Sequence, residues 1–140
     1  MVSRLVSTGS ALVLFAGGLV LLFGADDVLP AVAPGFPASA AWIGQLLAAA
    51  WLGVAGMNWL QRRSRIGGIY GRPVVVANVG LYFISALTLI GTVRRGAGGT
   101  ALWIVTGVFA AFAIVYMTLM LRGPFDREAS PDDGRQRRAE

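Results

Sequence analysis

Four long apolar stretches constrain this chain more than any other feature of its sequence. None of them contains a charged residue, and they cover residues 5–23, 42–60, 74–93 and 101–121. Each is close to the roughly 20 residues that an α-helix needs to cross about 30 Å of hydrocarbon. Strand-period alternation is missing, and backbone groups in lipid must be paired internally. The predicted fold is therefore an all-α membrane protein, a four-helix transmembrane bundle with antiparallel neighbours.

The composition excludes several kinds of chemistry. The 140 residues are 56% hydrophobic and only 14% charged, and a soluble fold of this size could not bury so much apolar surface. The chain has no Cys and no His, which excludes disulfides, thiolate metal sites and the commonest ligands of haem and zinc. It also has no Lys, which excludes Schiff-base chemistry and suggests a GC-rich bacterial genome. We expect no cofactor and no metal.

The distribution of arginine predicts how the chain sits in the membrane. Ten of the 12 Arg residues lie before the first stretch, between the second and third, or after the fourth. Only Arg94 and Arg95 lie on the other side. Positively charged loops stay in the cytoplasm, so we expect a multi-pass protein of the bacterial cytoplasmic (inner) membrane with both termini in the cytoplasm. The net charge of +5 is then explained by orientation, and no nucleic-acid partner is expected.

The segments outside the apolar stretches define the predicted domain limits. Residues 1–124 form the transmembrane domain, and residues 125–140 form a polar cytoplasmic tail. The first outer loop, residues 24–41, holds three of the six prolines and is too rich in them to be helical throughout. Its adjacent acids, Asp26 and Asp27, could bind a cation, begin a pore or form a solvated turn. Without His or a third acid nearby, a metal site has weak support.

Polar side chains within the apolar stretches are the first candidates for a functional site. They are Gln45 and Asn58 in the second stretch, and Asn78, Tyr82, Ser85 and Thr92 on one face of the third. Such a face could line a pathway or a ligand pocket. Alternatively, its side chains could hydrogen-bond between helices, each contributing about 0.6 kcal/mol. No stretch contains the Asp, Glu, Lys or Arg that marks proton-coupled transport, which makes coupled export a minor possibility.

Small residues recur at helical spacing in two of the stretches. They are Ala49, Gly53 and Gly56 in the second stretch, and Gly107 and Ala111 in the fourth. Small residues three or four positions apart let transmembrane helices approach closely. The spacing predicts packing within the bundle, with a homodimer face as the alternative. Gly17 and Gly18 have no side chains and therefore make the middle of the first helix narrower.

The most distinctive segment is the predicted cytoplasmic loop between the second and third stretches. It contains the run Gly67-Gly68-Ile69-Tyr70-Gly71-Arg72-Pro73. Pro73 suits the first turn of a helix, where its missing N–H costs nothing. The positive end of that helix and Arg72 would together favour an anion such as a lipid phosphate. The candidate headgroup site is Arg72, Tyr70, Gly68 and Gly71. The alternative is a tight turn whose arginines set the topology.

These residues carry a resemblance to a known group of proteins. The Asn58-Trp59 pair, the glycine-rich run 67–73 and Asn78 together resemble a family of small four-span bacterial membrane proteins without assigned function. The resemblance covers about a quarter of the chain and implies no substrate or activity. A looser similarity to DoxX-type four-helix proteins depends only on size and on the number of spans.

The sequence favours a binding protein over an enzyme, because reactive side chains are scarce. The leading hypothesis is a non-catalytic accessory subunit of a membrane complex or a small lipid-binding scaffold. Its partners would be membrane lipids and either another protein or further copies of itself. The alternative is a channel for a small solute, lined by Asn58, Asn78, Tyr82 and Ser85. A third possibility is an intramembrane lipid enzyme, which would have to use Asp26, Asp27 or the acids of the tail.

Overall fold

The computed structural model describes residues 2–62, 72–96 and 99–122. They form four helices, which are α1 (Val2–Val32), α2 (Trp42–Gln61), α3 (Arg72–Arg94) and α4 (Thr100–Arg122). A short 3-10 helix, Ala38–Ala40, precedes α2, and no strand occurs in these ranges. All four α-helices are long and apolar enough to cross a membrane. The predicted all-α four-helix bundle is confirmed, and the chain is a multi-pass membrane protein.

Helix α1 is longer than the sequence predicts. The apolar stretch ends at residue 23, but the helix continues to Val32 after a kink at Gly24, whose φ and ψ are −126° and 21°. Asp26 and Asp27 lie in the first turn after the kink, where acidic side chains are favourable. Pro30 removes one helical hydrogen bond, and the helix ends two residues later. The part of the predicted outer loop that follows Gly24 is therefore helical as far as Val32.

Helices α1 and α2 pack closely along most of their length. Glycine makes this possible, because a Cβ atom built at Gly18 would lie 2.8 Å from Cγ of Leu52. A Cβ atom at Gly17 would lie 2.8 Å from the Trp51 ring, and one at Gly44 would lie 2.9 Å from Leu29. The contact at Leu29 also explains why α1 continues past Gly24, since this segment packs on the start of α2.

The other small residues do not mediate packing within the bundle. A Cβ atom at Gly53, Gly56 or Gly107 would meet nothing within 4 Å. Ala49 and Ala111 are exposed on the outer surface. The prediction that these five residues pack the helices of the bundle together is wrong, because their helix faces point away from it. The alternative, a homodimer face, remains a hypothesis.

The four helices form two hairpins that meet through large side chains. Helix α3 packs along α4, whereas α2 approaches α3, and α1 approaches α4, at few backbone positions. The space between the hairpins is filled by a core that contains Leu14, Tyr82, Phe109, Tyr116 and Leu119. Most of the outer surface is apolar, with Phe23, Leu60 and Ile114 among the exposed side chains. Such a surface is suited to lipid.

Candidate functional site: an intramembrane polar cluster

Four polar side chains meet between the hairpins, and we call them the polar cluster. They are Ser10 of α1, Asn58 of α2, and Asn78 and Tyr82 of α3, and all four are fully buried. Ser10 lies near the start of α1 and Asn58 near the end of α2, while Asn78 and Tyr82 lie in the first half of α3. Because neighbouring helices run antiparallel, these positions fall at one end of the bundle. The cluster draws its members from both hairpins.

The two asparagines form a reciprocal pair. Nδ2 of Asn58 donates to Oδ1 of Asn78 at 2.8 Å, and Nδ2 of Asn78 donates to Oδ1 of Asn58 at 2.7 Å. The second N–H of Asn58 donates to Oγ of Ser10 at 2.8 Å. The second N–H of Asn78 donates to the Val74 carbonyl at 2.8 Å. Both amide groups thus use all their N–H donors inside the protein.

Ser10 connects this pair to Tyr82. Its Oγ lies 2.7 Å from the Tyr82 hydroxyl, and either atom can be the donor. A longer contact of 3.4 Å joins the same Oγ to Oδ1 of Asn78. The cluster therefore forms one continuous network, in which each side chain bonds to another member. An unpaired amide or hydroxyl in hydrocarbon would cost several kcal/mol, and this arrangement avoids that cost.

An aromatic layer lies against the polar cluster on the α4 side. The Tyr82 ring stacks on Phe112 and Tyr116, with centroid distances of 4.9 and 5.7 Å. Phe109 meets Tyr82 edge-on at 5.2 Å and also contacts Trp51 at 5.3 Å. The Tyr116 hydroxyl and Nε1 of Trp51 are buried and have no hydrogen-bond partner within the described ranges. Tyr82 is thus the residue shared by the hydrogen-bond network and the aromatic layer.

The structure brings together three of the six predicted polar residues. Asn58, Asn78 and Tyr82 are members of the cluster, whereas Ser85 is half-buried and Gln45 is exposed in the first turn of α2. Neither residue contributes a hydrogen bond to the network as described. Thr92 bonds to the carbonyl of Thr88 on its own helix at 2.9 Å, as intramembrane threonines commonly do.

The predicted site residues do not include Ser10 or Tyr116. Ser7 and Ser10, both buried, lie three residues apart in an apolar helix, and that spacing places them on one face. This spacing could have identified Ser10 from the sequence. Tyr116 is the only tyrosine of α4, but nothing in its neighbourhood indicates that it faces Tyr82.

Arginines surround the end of the bundle nearest the polar cluster, which we call the basic end. Arg4 lies in the first turn of α1, Arg62 follows α2 and Arg72 begins α3. The guanidinium carbon of Arg62 lies 3.7 Å from the centroid of the Trp59 ring. Its Nη1 donates to the Trp59 carbonyl at 2.6 Å. Asp26 and Asp27 are exposed near the opposite end.

The predicted headgroup site can be located only in part. Arg72 is exposed at the first residue of α3. Gly68, Tyr70 and Gly71 lie outside the described residues, so the site stays a prediction. Within the described ranges, no three His, Cys, Asp or Glu side chains come together in a way that could hold a metal ion.

The described residues form two apolar grooves along the outside of the hairpins, and each has a volume of about 340 Å³. The first, the α1–α2 groove, is lined by Ala11, Leu12, Phe15, Ala55, Gly56 and Trp59. The second, the α3–α4 groove, lies between α3 and α4, and its lining includes Phe83, Ala86 and Ala110. No member of the polar cluster lines either groove.

Comparison with known proteins gives no family and no relative. No family model matches the chain, and neither a curated protein nor a solved structure is similar to it. The resemblance carried by Asn58-Trp59, the run 67–73 and Asn78 therefore stays a prediction. The class of the protein is defined by its fold alone, as a four-helix multi-pass membrane protein with a buried polar cluster between its hairpins.

Proposed function

We propose that this chain is a non-catalytic protein of the bacterial cytoplasmic membrane, with both termini inside, that works by binding. It is either an accessory subunit of a membrane complex or a small lipid-binding scaffold. The observation that carries the proposal is the use of the intramembrane polar groups. The side chains of Asn58, Asn78, Ser10 and Tyr82 hydrogen-bond to one another. These hydrogen bonds hold the two hairpins together, so the polar groups are not available to a substrate.

The outer surface supports a binding role. Large apolar side chains cover most of it, and exposed small residues on α2 and α4 leave flat faces where another helix could approach. In a membrane, such faces are covered by lipid, by a partner protein or by another copy of the chain. The arginines of the basic end, together with the predicted headgroup site at Arg72, favour anionic lipid among these.

The channel alternative has less support from the geometry. A channel needs polar side chains that converge on one continuous cavity. Here Asn58, Asn78 and Tyr82 bond directly across helix contacts, and neither described groove reaches them. The lipid-enzyme alternative has less support still, because Asp26 and Asp27 are exposed near the end opposite the cluster.

The test is purification from the native host in a mild detergent, followed by mass spectrometry of the proteins and lipids that remain bound. A stoichiometric protein partner would support the accessory subunit, and retained phospholipid would support the scaffold. Recovery of the chain alone, with neither, would contradict the proposal. The Asn58→Leu variant is a useful comparison, because a loosened junction between the hairpins should release a partner that recognises the assembled bundle.

A further inference from the structure

The α1–α2 groove ends at the basic end of the bundle. Ala11, Ala55 and Gly56 form its floor, and Leu12, Phe15 and Trp59 are partly or largely exposed around it. Its volume of about 340 Å³ falls within the range of small-molecule sites. Its lining is apolar, so any occupant must present hydrocarbon to it. In a bilayer that hydrocarbon is supplied by an acyl chain.

The far end of the groove lies about one membrane leaflet away from the basic end. Its deepest residue on α1 is Phe15, eleven residues after Arg4 at the basic end. Eleven residues of α-helix span about 16 Å, which is about half of a hydrocarbon core of roughly 30 Å. A phospholipid of the adjacent leaflet could therefore place its acyl chain along the groove while its headgroup stays level with the basic end.

A guanidinium is held where that headgroup would lie. Trp59 lines the groove, and Arg62 stacks on the Trp59 ring at 3.7 Å and donates to the Trp59 carbonyl at 2.6 Å. A guanidinium carries five N–H donors in a planar fork, so one such bond leaves the fork able to bind phosphate. The two contacts with Trp59 hold the charge beside the groove without any ligand.

The surrounding charge has a single sign. Arg4 and Arg72 lie at the same end as Arg62, and within the described ranges no Asp or Glu lies there. Neighbouring cations raise the local attraction for an anion. The α3–α4 groove provides the contrast, since it has the same volume but no arginine stacked on an aromatic residue of its lining as described. An apolar groove alone would not distinguish one lipid from another.

We propose that the α1–α2 groove binds one anionic phospholipid, with an acyl chain along Ala55 and Gly56 and its phosphate at Arg62. This inference deepens the lipid-binding form of the proposed function and rests on it. It assigns the site to α1 and α2, separate from the predicted headgroup site at Arg72.

The experiment measures how close a lipid chain comes to Trp59. The full chain is reconstituted in phosphatidylcholine vesicles that contain either phosphatidylglycerol or phosphatidylcholine with brominated acyl chains, which quench tryptophan fluorescence on contact. The protein has four Trp residues, so the Trp59→Phe variant gives the signal of the other three. We expect phosphatidylglycerol to associate with Trp59 about fivefold more strongly, the contribution of one basic residue near an anion.

Two variants test the two halves of the site. Arg62→Gln should bring the preference for phosphatidylglycerol close to one while leaving quenching by both lipids intact. Gly56→Leu should reduce quenching by both lipids, since its side chain fills the groove and its Cβ meets nothing within 4 Å. Gly53→Leu is the matched control, because Gly53 lies on the same helix, is equally open and does not line the groove.

Three outcomes would overturn the proposal. They are equal quenching by the two lipids in the native chain, a preference that survives Arg62→Gln, and a Gly56→Leu variant that behaves like Gly53→Leu. Each would leave the proposed function standing if a protein partner copurified from the native membrane. If neither a partner nor a lipid copurified from the native membrane, while quenching in vesicles was as expected, the wider proposal would be contradicted and the lipid site at Arg62 would still stand.

Discussion

The interface between α1 and α2 and the interface between the two hairpins solve the same packing problem in different ways. Along α1 and α2, glycine removes the side chain so that the backbones approach, as at Gly18 against Leu52. Between the hairpins the backbones stay apart, and large side chains such as Tyr82 and Phe109 fill the space. The first interface is purely apolar at these contacts, whereas the second contains a hydrogen-bonded network.

This difference matters because the hydrophobic effect gives little association between helices in lipid. Close packing and hydrogen bonds must then provide the free energy. The α1–α2 interface uses packing, so it should be sensitive to added volume and indifferent to polarity. The interface between the hairpins uses hydrogen bonds as well, so it should be sensitive to the loss of a single polar atom.

The largest expected effect is the addition of volume at the glycine interface. Gly18→Leu places a side chain where Leu52 already lies, so we expect about 3 kcal/mol of destabilisation, the upper part of the range for overpacked sites. The free energy of unfolding can be measured by titration with SDS in mixed micelles, followed by near-ultraviolet circular dichroism. Gly53→Leu, on an open face, should not destabilise the fold. Equal behaviour of the two variants would show that α1 and α2 do not approach as closely as described.

The next effect is the loss of one asparagine. Asn58→Leu keeps a similar volume but leaves Asn78 and Ser10 without their partner, at a cost of about 2 kcal/mol. The double variant Asn58→Leu with Asn78→Leu removes both amides of the reciprocal pair. It should be less destabilised than the sum of the two single variants, because fewer buried groups remain unpaired. Additive effects would mean that the two side chains do not bond to each other.

The elements of this bundle follow from the sequence, but the cluster follows only in part. Charge-free stretches of about 20 residues leave no structure other than transmembrane helices, so the spans starting at Trp42 and Thr100 are found within a residue. Hydropathy could not show that α1 continues past Gly24. That extension depends on the contact between Leu29 and Gly44, which exists only in three dimensions.

The sequence does not show which side of each helix faces the interior of the bundle. Asn78 and Tyr82 share a face of α3 by their spacing, and that face is indeed buried. Ser85 shares the spacing of Asn78 and Tyr82 but is only half-buried, and Gln45 of α2 is exposed. Ala49, Gly53 and Gly56 lie on the side of α2 that faces away from the bundle. Four helices that are apolar all round carry no strong hydrophobic face, so the choice of buried side depends on packing.

A smaller effect is expected from removal of the Tyr82 hydroxyl. Tyr82→Phe leaves the ring stacked on Phe112 and Tyr116, but Ser10 loses a partner at 2.7 Å. We expect a loss of about 1 kcal/mol in the free energy of unfolding, the usual net contribution of one hydrogen bond. The same SDS titration measures it. An unchanged midpoint would show that the Ser10 to Tyr82 bond does not stabilise the junction between the hairpins.

The smallest effect separates hydrogen bonding from aromatic packing within one layer. Tyr116 is buried like Tyr82 and stacks on it almost in parallel at 5.7 Å, but its hydroxyl has no described partner. Tyr116→Phe keeps the stacking and removes a hydroxyl that makes no hydrogen bond in the described ranges, although Ser7 and Ser10 lie near it, so we expect a smaller loss of stability than at Tyr82. The two tyrosine variants, measured side by side, form a matched pair. A loss at Tyr116 as large as that at Tyr82 would show that both hydroxyls belong to the network, and the polar cluster would then extend from three helices to all four.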